Sequence, residues 1–376
     1  MDMRVCVLQI SLDPCKGGSH LPLFAAAKDV QFTIVCNRSA VPATELPPNV
    51  RVITIPGRLG TYYYGCADFR FAQRLLKAYP PSCDFWKEFD LIHVNQTMGP
   101  ALRRLRSCNR PLLFLIHHPV TADRDVAVTE SHTLRALRWR AKYALLLRWQ
   151  RAMCGEADRV VTVSRSMQER IAADYGIDTG KIGVVPNGVD GDVFRPVPDE
   201  TCKFDTIAVG SFLHPRKGFP YLLEAYKRLA ASGRRIADVG RRSEAQEKAI
   251  DAIEGVQRFG TVDADRLVHL VRHSRTLIST SLFEGFGLSL IEALACGHPA
   301  YAFAVGAVPE VLGSVDPSFV VQPRDVSALC AGIESYLELA PEERDMRSAQ
   351  YRAAVLERYD MRKAAAALQH AYASLQ

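Results

Sequence analysis

The sequence predicts an α/β fold: two doubly wound, parallel-sheet domains joined in one chain. Three observations predict it. Short, continuously apolar runs alternate with helical stretches through the first half. A Pro-rich stretch, VVPNGVDGDVFRPVPDETC, then interrupts the pattern, and the same alternation restarts after it. At 376 residues, the chain also exceeds what one hydrophobic core ordinarily serves.

In order, VCVLQI, QFTIVC, VRVITIP, DLIHVN, PLLFLIHH and RVVTVS read as strands buried on both faces, because they lack the alternation of a half-exposed strand. The first of these spans Arg4–Ile10. Helical stretches at Leu21–Lys28 and Asp68–Ala78 fall between them, with Asp68 as the expected N-cap of the second. After the Pro-rich stretch come FDTIAVGSF, a helix over Tyr221–Ala231, weaker strands near Arg235–Val239 and Gly255–Phe259, then RTLISTS and PAYAFAV. Met361–Leu375 is a helical pattern with no strand after it. The expected division is therefore 1–190, 191–355, and a terminal helix over 356–376 that packs back on the first domain. Ligands bind beyond the carboxyl ends of such strands, so a cleft between two facing domains is the expected site.

Composition excludes several classes. Hydrophobic residues make up 48% and charged residues 23% of the chain, which are globular values. No apolar run is long enough to span a bilayer, and MDMRVCVLQISLDP lacks the layout of a secretory signal. The ten cysteines include no C-x-x-C pair, so reduced thiols in a cytoplasmic protein are expected rather than a zinc or redox motif. The Asp123-Arg124-Asp125 triplet beside His117 and His118 is not matched by further ligand spacing, and no metal is expected there.

The net charge of +6 is unevenly spread. Between Ala101 and Met153 eleven Arg or Lys face only Asp123, Asp125 and Glu130, a local surplus of eight positive charges. Such a surface seeks an acidic partner. Within it, SHTLRALRWRAKYALLLRWQRAM places Arg135, Arg138 and Lys142 on one helical face and Leu134, Leu137, Ala141 and Leu145 on another. Two readings follow: the leucine face packs into the core, or residues 130–153 touch an anionic membrane. Nucleic acid is not expected, because no nucleic-acid-binding motif accompanies the charge.

The most informative stretch is SLFEGFGLSLIEALACGHP, residues 281–299. RTLISTS ends as a strand near Ser281 and a helix begins near Leu288, so Glu284 and its glycines occupy the turn between them. Gly285 and Gly287 allow close backbone approach, and the helix start offers unpaired N–H groups suited to a diphosphate. Glu292, about one turn into the helix, is placed to accept both hydroxyls of a ribose, and Glu284 to accept those of a sugar. The pattern describes a nucleotide-sugar pocket.

With that pocket, the chain resembles the retaining glycosyltransferases of family 4, which have the GT-B fold of two facing Rossmann-like domains. The resemblance rests on an ordered set of landmarks: PCKGGSH, LFLIHHP, ADRVVTVSRSMQERI, VVPNGVD, VGSFLHPRKGFPYLLEAY, the E-x7-E of Glu284 and Glu292, and GHPAYAFAVGAVPEVL. It implies that Lys217 contacts the donor diphosphate, with Ser211 and Arg216 on the same loop. Glu284 would hold the donor sugar beside the backbone amides of Gly285, Phe286, Gly287 and Leu288, and Glu292 the ribose. Gly18 would approach the phosphates, Gly17 and His118 the acceptor, and His117 the donor sugar near the reacting carbon. Catalysis would rest on His117, Lys217 and Glu284, with no metal and no cofactor beyond the nucleotide sugar itself, UDP being the commonest donor base. The acceptor would be a glycan, a lipid-linked glycan or a small molecule, and the site of action the cytoplasm or the inner face of the membrane.

One departure stands out. The family has an arginine after the glycine of V-G-R, where this chain reads Val209-Gly210-Ser211. A missing cation there leaves leaving-group charge unmatched, which keeps open a silent nucleotide-sugar-binding partner subunit; a sugar-nucleotide epimerase of the same fold is a second alternative. A G-x-S-x-G hydrolase elbow and a G-x-G-x-x-G dinucleotide loop are both absent.

Overall fold

The computed structural model describes residues 3–13, 20–96, 99 and 102–376; Gly17 and Gly18 lie outside them. The chain divides into two compact units, residues 1–187 with 361–376, and residues 188–360. The sequence-based boundaries, 190/191 and 355/356, fall a few residues away.

The first unit is built on strands β1 (Met3–Leu8), β2 (Val30–Cys36), β3 (Val50–Thr54), β4 (Leu91–Asn95), β5 (Leu112–Ile116), β6 (Arg159–Thr162) and β7 (Ile182–Val184). They form one parallel sheet in the order β3-β2-β1-β4-β5-β6-β7. The apolar runs form strands because helices cover both faces: every residue of β4 and β5 is buried. Helix α1 (Leu21–Ala26) and the terminal helix over Met361–Ala373 pack on the core of Val5, Phe32, Ile34 and Leu113. The Tyr372 hydroxyl sits 2.6 Å from His93 Nδ1 inside that core.

Helix α2 runs Cys66–Ala78. It starts two residues before the expected position, with Gly65 in left-handed geometry (φ 66°) as its N-cap, and Asp68 lies buried in its first turn rather than capping it. Helix α3 (Val120–Thr129) is followed by α4 (Thr133–Glu156), the long basic helix. The leucine-face-inward reading of α4 is overturned. Leu134 is 78% exposed, and Leu137 and Leu145 are exposed too, while Trp139, Tyr143, Leu146, Gln150 and Met153 are buried. The helix carries two apolar faces, and the aromatic one wins because Trp139 and Tyr143 pack edge-on against Tyr63 at 5.4 and 5.8 Å between ring centroids.

The second unit repeats the topology with β8 (Thr206–Val209), β9 (Ile236–Val239), β10 (Val256–Gly260), β11 (Leu277–Ser279), β12 (Ala300–Phe303) and β13 (Val320–Val321). Their order, β10-β9-β8-β11-β12-β13, is again parallel throughout. Helix α5 (Phe219–Ala231) follows β8, and α6 (Leu288–Ala295) follows β11. In both units the strand order runs outward one way and then reverses from the first strand, the dinucleotide-binding arrangement. The reversal lies between β1 and β4 in one unit and between β8 and β11 in the other. Among the described residues no helix is long and apolar enough to cross a membrane.

Candidate active site

The reversal in the second unit brings two loops together. β8 and β11 are neighbours, with Ile207 paired to Leu277, so the loops leaving their carboxyl ends share one edge of the sheet. The Leu282 N–H donates to the Arg216 carbonyl at 2.7 Å, and the Thr280 hydroxyl lies 3.3 and 3.2 Å from the carbonyls of Lys217 and Gly218. Gly218 is dictated by this closeness: it has φ 66°, and a Cβ there would stand 2.1 Å from the Thr280 carbonyl oxygen. The result is that Lys217, 67 residues from Glu284, forms an ion pair with it, and the Ser281 hydroxyl bonds the same carboxylate oxygen at 2.7 Å.

Burial alone pushes the Glu284 carboxyl up, but the Lys217 ammonium and the Arg216 guanidinium more than offset it and hold the group at about 2. It is ionised at any working pH. The Glu284 backbone is fixed as well, its carbonyl accepting the Ala307 N–H at 3.0 Å. Gly306, at φ 53°, lets the chain pass there, because a Cβ would come within 2.0 Å of that carbonyl oxygen.

Glu292 lies on α6, one turn inside the helix. It is half-buried, and no donor among the described residues meets its carboxylate. Burial raises it to about 7. Between the two acids, α6 begins at Gly287 with no side chain capping its first amides, so its N-terminus is open to an anion. The unit thus offers, along one loop–helix segment, a fixed carboxylate, an open helix N-terminus and a carboxylate without a partner among the described residues, with a lysine brought in from the loop after β8.

Other predicted residues sort around this group. Arg216 is drawn in: its guanidinium lies 3.4 Å from the Phe283 carbonyl, and its backbone N–H donates to His214 Nδ1 at 3.1 Å. Phe286 turns its ring into the core against Tyr359, 5.3 Å away, which leaves only its backbone for the predicted role. Ser211 has an exposed side chain. Arg242, whose guanidinium donates to the Gly210 carbonyl at 2.6 Å, is not a stand-in for the missing arginine, since it is locked in a fully buried ion pair with Asp238. Ser281, His214 and Gly306 went unassigned in the sequence, as their partners are fixed by the fold and only Gly306 carried a signal, a lone glycine after an apolar strand.

The first unit has a cavity of about 730 Å³ at its own reversal point, lined by Gln9, Asn95, Gln96, His117, Arg38 and Tyr62 among others. His117, just past β5, donates from Nε2 to Asn95 Oδ1 at 2.7 Å, and its backbone N–H donates to Gln96 Oε1 at 2.7 Å. Asn95 in turn donates to Gln9 at 2.9 Å. Burial, then neighbouring His118, lower His117 to about 3, so the ring is neutral with Nδ1 as an acceptor. His118 instead meets Asp123 at 3.0 Å, and Asp125 is ion-paired to Arg124 and Arg170. His20, unassigned in the sequence, packs its ring edge-on to His117 at 4.5 Å, with neither nitrogen hydrogen-bonded to a described residue.

Two family models match, Glycosyltransferase Family 4 over residues 24–193 and Glycosyl transferases group 1 over residues 203–338. A MMP alpha-(1->4)-mannosyltransferase of Mycolicibacterium hassiacum is 31% identical over 67% of this chain and 62% of its own length. A phosphatidyl-myo-inositol mannosyltransferase of Mycolicibacterium smegmatis is 24% identical over 85% of this chain and 80% of its own. The chain thus spans less than two thirds of the first of these relatives. Among solved structures, sucrose-phosphate synthase from Thermosynechococcus elongatus superposes with a TM-score of 0.78 at 20% identity, covering 99% of both chains. Anabaena HepE, solved with UDP and glucose, gives 0.70 at 18% identity, over 99% of this chain and 100% of its own.

Proposed function

We propose that this chain, which belongs to glycosyltransferase family 4 with its GT-B fold, moves a hexosyl group from a nucleotide-diphosphate sugar to an acceptor hydroxyl. UDP stands first among the donor bases, the anomeric configuration is retained, and no metal takes part. The acceptor is a glycan, a lipid-linked glycan or a small molecule.

One observation carries the reading: Glu292 is a half-buried carboxylate without a donor among the described residues. An unmet acceptor at a helix start whose amides are open is costly to the fold and useful to a ligand. A ribose supplies two hydroxyls to it, the adjoining diphosphate meets the α6 amides, and Lys217 and Arg216 stabilise the charge that grows on the departing nucleotide. Glu284, held ionised, accepts the hydroxyls of the sugar. In the first unit the neutral His117 ring offers Nδ1 as an acceptor to a hydroxyl, and the cavity beside it receives the acceptor. The leaving phosphate takes the acceptor's proton as the new glycosidic bond forms and the bond to phosphate breaks. The mannosyltransferase relatives and a neighbour of the same fold bound to UDP and glucose agree with this assignment. The reach of Arg216 toward Glu284 favours a working enzyme over a silent binding subunit, since the missing arginine leaves this site with two cations rather than one.

The test is a calorimetric and thermal-shift screen of UDP, GDP, ADP and CDP against the wild type, Glu292→Ala and Lys217→Ala. A nucleotide at about one hundred times its dissociation constant stabilises the protein by about 2.7 kcal/mol. One base should bind, and both substitutions should weaken it. Failure of all four to bind sinks the assignment.

A further inference from the structure

Helix α4 shows solvent a face that a monomeric soluble protein has little use for. At 3.6 residues per turn, Leu134, Leu137, Ala141, Leu145, Arg148 and Ala152 form one stripe, opposite the buried stripe of Trp139, Tyr143, Leu146, Gln150 and Met153. Leu134, Leu137 and Leu145 are 78%, 54% and 39% exposed. Arginines flank the stripe: Arg135, Arg138, Arg140, Arg148 and Arg151 are all exposed, and none is ion-paired to a described residue. From Ser131 to Gly155 the sequence contains six cations and no acid.

The exposed apolar surface is concentrated here. Of the nine large apolar side chains exposed among the described residues, six lie on α4 or on segment 62–69, which packs against it. Phe69 stacks on Trp149 at 6.5 Å, extending the stripe beyond Leu145. At the other end, His132, Leu134, Arg135, Arg138, Trp139 and Lys142 line a hollow of about 400 Å³. Lys142 is poised there 4.3 Å from the centre of the Trp139 ring.

We propose that this face docks on the surface of an anionic phospholipid bilayer. Leu134, Leu137 and Leu145 enter the boundary between headgroups and acyl chains. The arginines on either side lay their stems along the apolar layer and raise their charge to the phosphates, and the hollow between Arg135, Arg138 and Lys142 takes a headgroup phosphate. Charge selects this occupant. A second copy placed face to face would set six unpaired cations against six, and a soluble polyanion would leave the leucines in water. The inference does not depend on the donor-site reading.

The experiment is co-sedimentation of the full chain with phosphatidylcholine vesicles, with and without about one third phosphatidylglycerol, in about 0.1 M salt, where charges are screened beyond about 10 Å. The variants are Leu134→Ser/Leu137→Ser/Leu145→Ser and Arg138→Gln/Arg148→Gln, with thermal melts to show that both remain folded. The wild type should bind the anionic vesicles at least about tenfold more tightly than the neutral ones. Each lost arginine should weaken binding about fivefold, and the leucine variant about tenfold or more. Equal or negligible binding to both vesicles overturns the proposal. So does anionic binding that ignores the leucine substitutions, or a dimer in solution that those substitutions dissolve.

Discussion

Glu284 and Glu292 stand eight residues apart on one loop–helix segment, and their surroundings differ in kind. On the loop, Glu284 is met by Lys217, by the Ser281 hydroxyl and by the field of Arg216, and is held at about 2. On the helix, Glu292 is met by nothing among the described residues and rises to about 7. The loop acid is organised before any ligand arrives, as a group positioning a reacting sugar must be. The helix acid is left without a donor among the described residues, as the proposed ribose contact requires. Burying an unpaired carboxylate lowers stability, and such costs gather at binding sites.

The largest expected effect strikes the organised half. Lys217→Ala removes the cation paired to Glu284; with the proposed role at the leaving group, kcat/KM should fall by about 10²–10³, equivalent to about 2.7–4 kcal/mol. Steady-state kinetics with the donor that the nucleotide screen identifies would show it. A loss below about threefold would mean that Lys217 serves the fold and not the reaction.

Next comes the incomplete half. Glu292 has a folded-state value of about 7, above that of an unfolded glutamate, about 4.3. A group raised on folding stabilises fully below its unfolded value and loses that contribution as pH rises through the folded one. The wild type should therefore lose up to about 3 kcal/mol between pH 5 and pH 8 relative to Glu292→Gln. Thermal melts of both proteins at the two pH values would reveal a variant that gains stability on the wild type from pH 5 to pH 8. Parallel melting at every pH would show that the carboxylate is already satisfied.

The smallest effect concerns the departure from the family pattern. Ser211→Arg restores the family residue on an exposed side chain, and because Arg216 already approaches Glu284, kcat should change by less than about threefold. A rise of tenfold or more would show that the site lacks a cation after all.

These contrasts also mark how far the sequence could be read. The strands were legible because runs such as VCVLQI and PLLFLIHH are buried on both faces, and the strand-to-helix turn at Glu284 was legible from its glycines. What joins Lys217 to Glu284 was not. Their contact depends on β8 lying beside β11, a choice of sheet order that local pattern does not carry. For the same reason His214 gave no sign of holding the Arg216 amide, and the lone glycine at 306 did not reveal that it makes room for the Glu284 carbonyl. Helix α4 misled differently: periodicity found an apolar face in its leucines, but the helix has a second one in Trp139 and Tyr143, and only packing against Tyr63 decides which turns inward.

The most direct measurement is the proton balance of nucleotide binding. If a ribose completes Glu292, the carboxyl must ionise to receive it. Calorimetric titrations at pH 7 in buffers of different ionisation enthalpy should then show release of about half a proton per nucleotide, with affinity rising about tenfold from pH 6 to pH 8. Glu292→Gln should release less by that half proton and lose the pH dependence. Equal proton release by wild type and Glu292→Gln would contradict the account, because the ribose would then be held elsewhere.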